Sequence, residues 1–126
     1  MIQEDYVSFE VAKLLKEKGF NEPCRACYIY EKIFYYDYCS TNFELRDNII
    51  SAPTHQMAMK WLREVHNINI EIYVVKNYDK KICEYSYTIM DLDIQGSDDG
   101  IDCCHNYKTY EQACEESIKY CLEHLI

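Results

Sequence analysis

Glycine occurs only three times in this chain of 126 residues, and that scarcity removes a group of functions at once. A phosphate-cradling loop needs glycines in a short run so that backbone N–H groups can close on the ligand, and no such run is present. Long apolar runs are also missing: no stretch approaches the roughly 20 residues that a bilayer demands. No positively charged start leads into an apolar run and a small-residue cleavage site, so the chain is expected neither to span a membrane nor to carry an export signal. Basic residues are the minority charge. Thirteen Lys and Arg stand against 22 Asp and Glu, for a net charge of −9, and the mean field repels phosphate backbones and anionic lipid. Neither a direct nucleic-acid partner nor a membrane partner is expected. The basic cluster Lys76, Lys80 and Lys81 flanks Asn77 to Asp79 as solvated turn residues do.

What is present suffices for one core. At this length, 48% hydrophobic content supports a single domain over residues 1–126 without help from metals or disulfides. The eight cysteines would suggest a disulfide framework in an oxidising compartment. Without an export signal, reduced thiols in a cytoplasmic protein are expected, several of them filling the core as small apolar groups.

Punctuation and periodicity give the elements. Ser8 precedes an amphipathic run from Phe9 to Lys18 that closes on Gly19 and Phe20, which reads as an N-cap, a helix and a C′ glycine with Phe20 packing back on Leu15. Pro23 excludes a continuing helix, and Ala26 to Tyr38 is dense in Tyr, Ile and Phe, the composition of strand. Two short strands broken near Glu31-Lys32 are expected. Because Glu-Lys is poor two-residue hairpin chemistry, one longer strand is the alternative. Cys39 to Ser51 reads mostly as loop. Pro53 and Thr54 open a second helix with Met57, Ala58, Trp61, Leu62 and Val65 at helical spacing, ending near His66-Asn67. Ile68, Ile70, Ile72 and Val74 then alternate with polar residues, the signature of a half-buried strand, and Asn77 to Lys80 turns the chain into a partner strand from about Ile82 to Asp93. Gln95 to Asn106 is polar and reads as exposed loop. Thr109 with Gln112 forms a capping box for a C-terminal helix whose face carries Tyr110, Ala113, Cys114, Ser117, Ile118, Cys121, Leu122 and Leu125.

The expected fold is therefore α+β: an antiparallel sheet from two β-hairpins packed with three helices, in the order α-ββ-α-ββ-α. Thr54…Ala58 echoes Thr109…Ala113 and hints at an internal duplication.

Few residues suggest chemistry. Cys24 and Cys27 have the Cys-x-x-Cys spacing that clamps zinc or forms a redox pair, and Cys103, Cys104 and His105 would complete a tetrahedral site if the groups met in space. Against this, one backbone would have to aim the adjacent Cys103 and Cys104 at one ion. A redox pair also wants the start of a helix after a strand, whereas this pair precedes a strand. The segment Asp91 to Asp102 overlays on a calcium loop at its first, third, fifth and ninth oxygen positions and at Gly96. It departs at Asp98 and at Asp102, where the twelfth position should be a bidentate Glu, so a solvated acidic loop is the better reading. His55, His66, His105 and His124 belong to no nucleophile arrangement. No catalytic residue, metal site or cofactor is assigned.

Thirteen tyrosines are the compositional excess, and tyrosine suits recognition surfaces because it buries a large area behind a polar tip. Tyr28, Tyr30, Tyr36 and Tyr38 share one parity along the first strands, and Tyr85 and Tyr87 share one face of the last. These six are the candidate binding residues, with burial in the core as the alternative.

The segment Ser51 to His66, the segment Tyr107 to Ala113 and the opening Glu4 to Phe20 resemble a family of short uncharacterised proteins from phages and integrated mobile elements of gut bacteria. The resemblance covers most of the chain and implies such an origin, but it brings no activity or functional residues. A fainter likeness links Thr109 to Leu122, with the strand before it, to the HicB-type antitoxin core. The functional expectation is a small acidic, non-enzymatic module that binds an unknown protein partner in the bacterial cytoplasm. A metal- or thiol-dependent module using Cys24 and Cys27 is one alternative, and a homo-oligomer whose exposed sheet pairs with itself is another.

Overall fold

The computed structural model describes residues 1–93 and 100–126. Three helices each begin on a hydroxyl cap. Ser8 Oγ accepts the N–H of Val11 and opens α1 (Phe9–Glu17), Thr54 Oγ1 accepts that of Met57 and opens α2 (His55–His66), and Thr109 Oγ1 accepts that of Gln112 and opens α3 (Tyr110–His124). Four residues beyond each cap stands an alanine, Ala12, Ala58 and Ala113, and all three are fully buried. A methyl group there lets the first turn of each helix approach its neighbours closely. The end of α1 closes as the sequence predicts. Phe20 N–H reaches Leu15 O at 2.9 Å and Gly19 N–H reaches Lys16 O at 3.1 Å, with Gly19 at φ +91°, where only glycine is free of Cβ strain. Phe20 then meets Trp61 edge-on with ring centroids 5.3 Å apart.

The expected α+β order holds, and each hairpin gains a short third strand. β1 (Cys24–Ile29) pairs antiparallel with β2 (Lys32–Ser40) and with β3 (Ile49–Ser51). β4 (Ile68–Asn77) pairs antiparallel with β5 (Ile82–Asp91), which also carries β6 (Ile101–Asp102). The result is two three-stranded sheets, ordered β2-β1-β3 and β4-β5-β6, in place of one continuous sheet. β3 and β6 arise in segments read as loop, because strands of three and two residues are too short to show a period. Their placement also tells against a simple duplication: the third strand pairs with the first strand of one hairpin and with the second strand of the other.

α3 is central, contacting α1, α2 and both long strands of the second sheet. The core joins Leu15, Leu62, Ile118 and Leu122 from the helices to Ile70 and Ile89 from that sheet. The first sheet lies against α1 and the segment before it, where Tyr28 stacks edge-on with Phe9 and its hydroxyl donates to Val7 O at 2.6 Å.

The first hairpin turns at Tyr30-Glu31, one residue earlier than the break expected from sequence. Ile29 pairs with Lys32, and Tyr30 and Glu31 take φ of 51° and 72°. That is the left-handed pair of a two-residue hairpin turn, normally filled by Asn-Gly, and each such conformation costs a side-chain-bearing L-residue about 1–2 kcal/mol. The combined replacement Tyr30→Asn and Glu31→Gly is expected to stabilise the fold by about 1 kcal/mol. A urea or thermal melt that shows no gain would show that this turn is not strained.

Candidate functional site

The six candidate tyrosines do not share a face. The two-residue turn sets Tyr28 opposite Ile33 and Ala26 opposite Tyr35, while Cys27 sits opposite Phe34. Tyr28 and Tyr36 therefore lie on opposite faces of the first sheet, and the Cys27 thiol lies 2.8 Å from the Tyr36 hydroxyl. Equal parity in the sequence misled because crossing a two-residue turn exchanges the parities of the two strands. Tyr28 is half-buried against the core, Tyr30 is exposed at the turn, and the side chain of Tyr38 lies outside the described residues. Tyr85 and Tyr87 do share a face, directed at the core. Tyr87 is buried and stacks on Tyr107 with ring centroids 6.3 Å apart, and half-buried Tyr85 meets Tyr110 edge-on. Burial is the first reason that the Tyr87 hydroxyl is pushed up out of its usual titration range, and the Tyr107 hydroxyl is pushed up to about 12, with the Cys103 thiol beside both.

The cysteines do not converge either. Cys24 and Cys27, three apart on one strand, point to opposite faces with Cα atoms about 10 Å apart, beyond the span of a disulfide. Their thiols meet different partners, Glu22 O and the Tyr36 hydroxyl. Cys103 and His105 belong to the edge of the other sheet, where Cys103 Sγ accepts the His105 N–H at 3.3 Å. Among the described residues no group of three His, Cys, Asp or Glu side chains is placed to hold a metal ion. Of the calcium-like segment, residues 94–99 lie outside the described residues.

A polar cluster is assembled, part-buried, where α1, α2 and α3 meet. The Glu115 carboxylate accepts the backbone N–H of Ser8 at 3.0 Å and the Nε2–H of His55 at 3.0 Å. An ionised carboxylate only accepts hydrogen bonds, so the shared hydrogen belongs to the imidazole. Burial alone would raise the Glu115 pKa, but the bonds from His55 and Ser8 outweigh it and hold the carboxyl below its ordinary range. Tyr28 stands close enough for that charge to help raise its hydroxyl pKa, after burial itself. A cavity of about 160 Å³ adjoins the pair, lined by Asp5, Thr54, His55, Gln56, Tyr110 and Glu111. Chemically this is a fixed imidazole beside an acidic recess. The neighbouring Cys114 thiol, pushed up to about 11 chiefly by burial, stays protonated at neutral pH and is no nucleophile. Glu115 escaped the sequence reading, although a signal existed: it stands three residues before Ile118 and seven before Leu122, in helical register with the buried stripe.

The second hairpin carries a different feature. Its inner half is core, with Ile68, Ile70, Tyr87 and Ile89 buried. Its outer half extends past the helices with Tyr73, Val74, Tyr78 and Ile82 exposed, Val74 at 50% and Tyr78 at 82%. The turn is held by Asn77 Oδ1, which accepts the Lys80 N–H at 3.1 Å, so the arm is a formed hairpin. Among the described residues no strand pairs with the outer edge of β4.

No protein-family model, curated protein or solved structure matches the chain.

Two outcomes test this arrangement. Because the folded pKa of Glu115 lies below its ordinary value of 4.5, its contribution to stability is complete above that value and is lost as pH falls through the depressed one. Glu115→Gln should cost about 1–3 kcal/mol at pH 7 and flatten the acid side of the stability profile. An unchanged profile would remove the carboxylate from its assigned role. For the thiols, Cys83 and Cys104 are exposed while Cys24, Cys27, Cys114 and Cys121 are buried, and burial pushes Cys121 up to about 12. A thiol-specific reagent at pH 8 followed by mass spectrometry should modify Cys83 and Cys104 first and the four buried cysteines only on unfolding.

Proposed function

We propose that this chain is a non-enzymatic protein-binding module that engages its partner through the β4–β5 arm. The observation that carries the reading is the exposure of Tyr73, Val74, Tyr78 and Ile82 on the outer half of an ordered hairpin. Aromatic and branched aliphatic side chains held out by a rigid two-stranded support give a binding surface with little conformational entropy left to lose. Tyrosine in particular presents a large apolar ring with a polar end to a partner. The absence of a phosphate loop in the sequence and the commitment of the His55 imidazole to Glu115 both favour binding over catalysis.

A bacterial-cytoplasmic setting, with a phage or mobile element as the source, is part of this proposal. It is supported by the resemblance of the Glu4–Phe20 and Ser51–His66 segments and by reduced cysteines that fill the core. Among the described residues no helix is long and apolar enough to cross a membrane. The arm replaces the tyrosine face as the candidate surface. Of the six tyrosines singled out in the sequence, Tyr87 is core, Tyr28 is tied to Val7 O, and Tyr30 belongs to the other hairpin.

Site-specific photocross-linking checks the reading. With a benzophenone side chain replacing Val74 and, in a separate strain, Lys13 on α1, the Val74 probe is expected to give one discrete adduct in cells and the Lys13 probe none. No adduct from Val74, or the same adducts from both positions, would count against the arm.

A further inference from the structure

Three features of the molecule could receive a ligand or partner: the groove of about 430 Å³ between α1 and α3, the recess beside His55, and the open edge of β4. The groove is crossed by Lys119, which reaches Glu10 at 3.1 Å and Glu123 at 3.9 Å, and Lys13 lies over the Phe9 ring, so both of its lysines are already engaged within it. The recess is lined by acidic and amide groups, and nothing in the structure shows a ligand for it. The strand edge is different, because its own sequence specifies what fits it.

β4 is ten residues long, rich in Ile and Val, without proline or a bulge, and its outer edge is unpaired among the described residues. Such an edge presents unmet backbone donors and acceptors and pairs readily with another strand. Charge along the arm is segregated. The turn end carries Lys76, Lys80 and Lys81 with Asp79 and Glu84, a local excess of positive charge. Toward the other end lie Glu71 on β4 and Asp91, which sits opposite Ile68, while Arg63 and Glu64 in the last turn of α2 offset one another. In a chain of net charge −9, a basic tip and an acidic base on one hairpin make the edge complementary to itself in one orientation only. Two copies related by a twofold axis perpendicular to the sheet run antiparallel, and each basic turn then passes the acidic base of the other. A parallel arrangement would stack the three lysines against their counterparts.

We propose that the occupant of the β4 edge is a second copy of this chain, joined β4 to β4 to make one six-stranded antiparallel sheet. The inference rests on the reading of the arm as a binding surface and names its partner. With Tyr73 opposite its own counterpart, the twofold places half-buried Ile72 of each copy opposite exposed Val74 of the other, giving Val74 an aliphatic neighbour that the monomer lacks. The carboxylate of Asp91 and the lysines of the second copy come within about two strand spacings, roughly 10 Å, close to one Debye length at moderate salt. Pairing along one edge is smaller than a standard interface, so the dimer should dissociate in the micromolar range, about 1–100 μM, and should weaken as salt rises.

Sedimentation equilibrium between about 1 μM and 1 mM provides the test, since that range brackets the expected dissociation constant. The native chain should shift from monomer to dimer, with hydrogen exchange of the β4 amides slowing as concentration rises. The tip variant Lys80→Glu with Lys81→Glu should weaken the dimer about tenfold or more, and so should the base variant Glu71→Lys with Asp91→Lys. An equimolar mixture of the two should restore pairing, because each reversed tip then meets a reversed base and each native tip a native base. All four positions are at the surface, so circular dichroism should find both variants folded. A monomer throughout, a dimer indifferent to both reversals, or a mixture that fails to recover overturns the self-pairing. If the native chain is monomeric but the Val74 probe still captures a distinct protein, the self-pairing is overturned and the arm reading stands. If it is monomeric and Val74 captures nothing, both fall.

Discussion

The carboxylate of Glu115 takes one N–H from the cap of α1 and one from the first residue of α2, while its own backbone belongs to α3. The starts of α1 and α2 are therefore both referred to one charged group on α3. In an isolated helix with a capping box, the N–H of the cap residue is met by a Glu or Gln three positions on. In α1 that position is Val11, which can meet nothing. The missing acceptor is supplied across the fold by α3, and a negative charge at the start of α1 also suits its dipole. Two effects compete at this carboxylate. Desolvation opposes the charge and the hydrogen bonds favour it, and the depressed pKa shows that the hydrogen bonds win.

Local chemistry made part of the fold legible before any coordinates. Ser8, Thr54 and Thr109 mark their helices because a hydroxyl in extended backbone is the right shape to hold a free N–H. Gly19 ends α1 because its φ of +91° is cheap for no other residue. The β4–β5 hairpin was readable because alternation runs unbroken through Val74. What stayed hidden depends on contacts between distant segments. β3 and β6 are strands only because β1 and β5 lie beside them, and Glu115 is a hub only because α3 docks on two helix starts. The tyrosine faces were misjudged for a local reason: Tyr30-Glu31 adopts a turn that those two residues disfavour, and the parity of everything after it depends on that turn.

Alternation in β4 says that one face is apolar, but it does not say where the core stops. Ile70 is buried and Val74 is half-exposed although they occupy equivalent places in the pattern, because the helices cover only the inner half of the sheet. The continuation of an apolar pattern beyond the cover available to it is what turns a structural strand into a surface available for recognition. That boundary is set by where α2 and α3 lie.

The link from Ser8 to Glu115 spans 107 positions in the chain. During synthesis at about 5–20 residues per second, roughly 5–20 s pass between the emergence of these two residues. Through that interval α1 has its hydroxyl cap and its glycine stop but lacks the acceptor for its first N–H and the α3 surface against which Val11 and Leu15 are finally buried. A helix of nine residues is marginal without tertiary support. A segment made well before α3 is thus secured only after it, and its apolar stripe stays open to chaperones until α3 has emerged and docked.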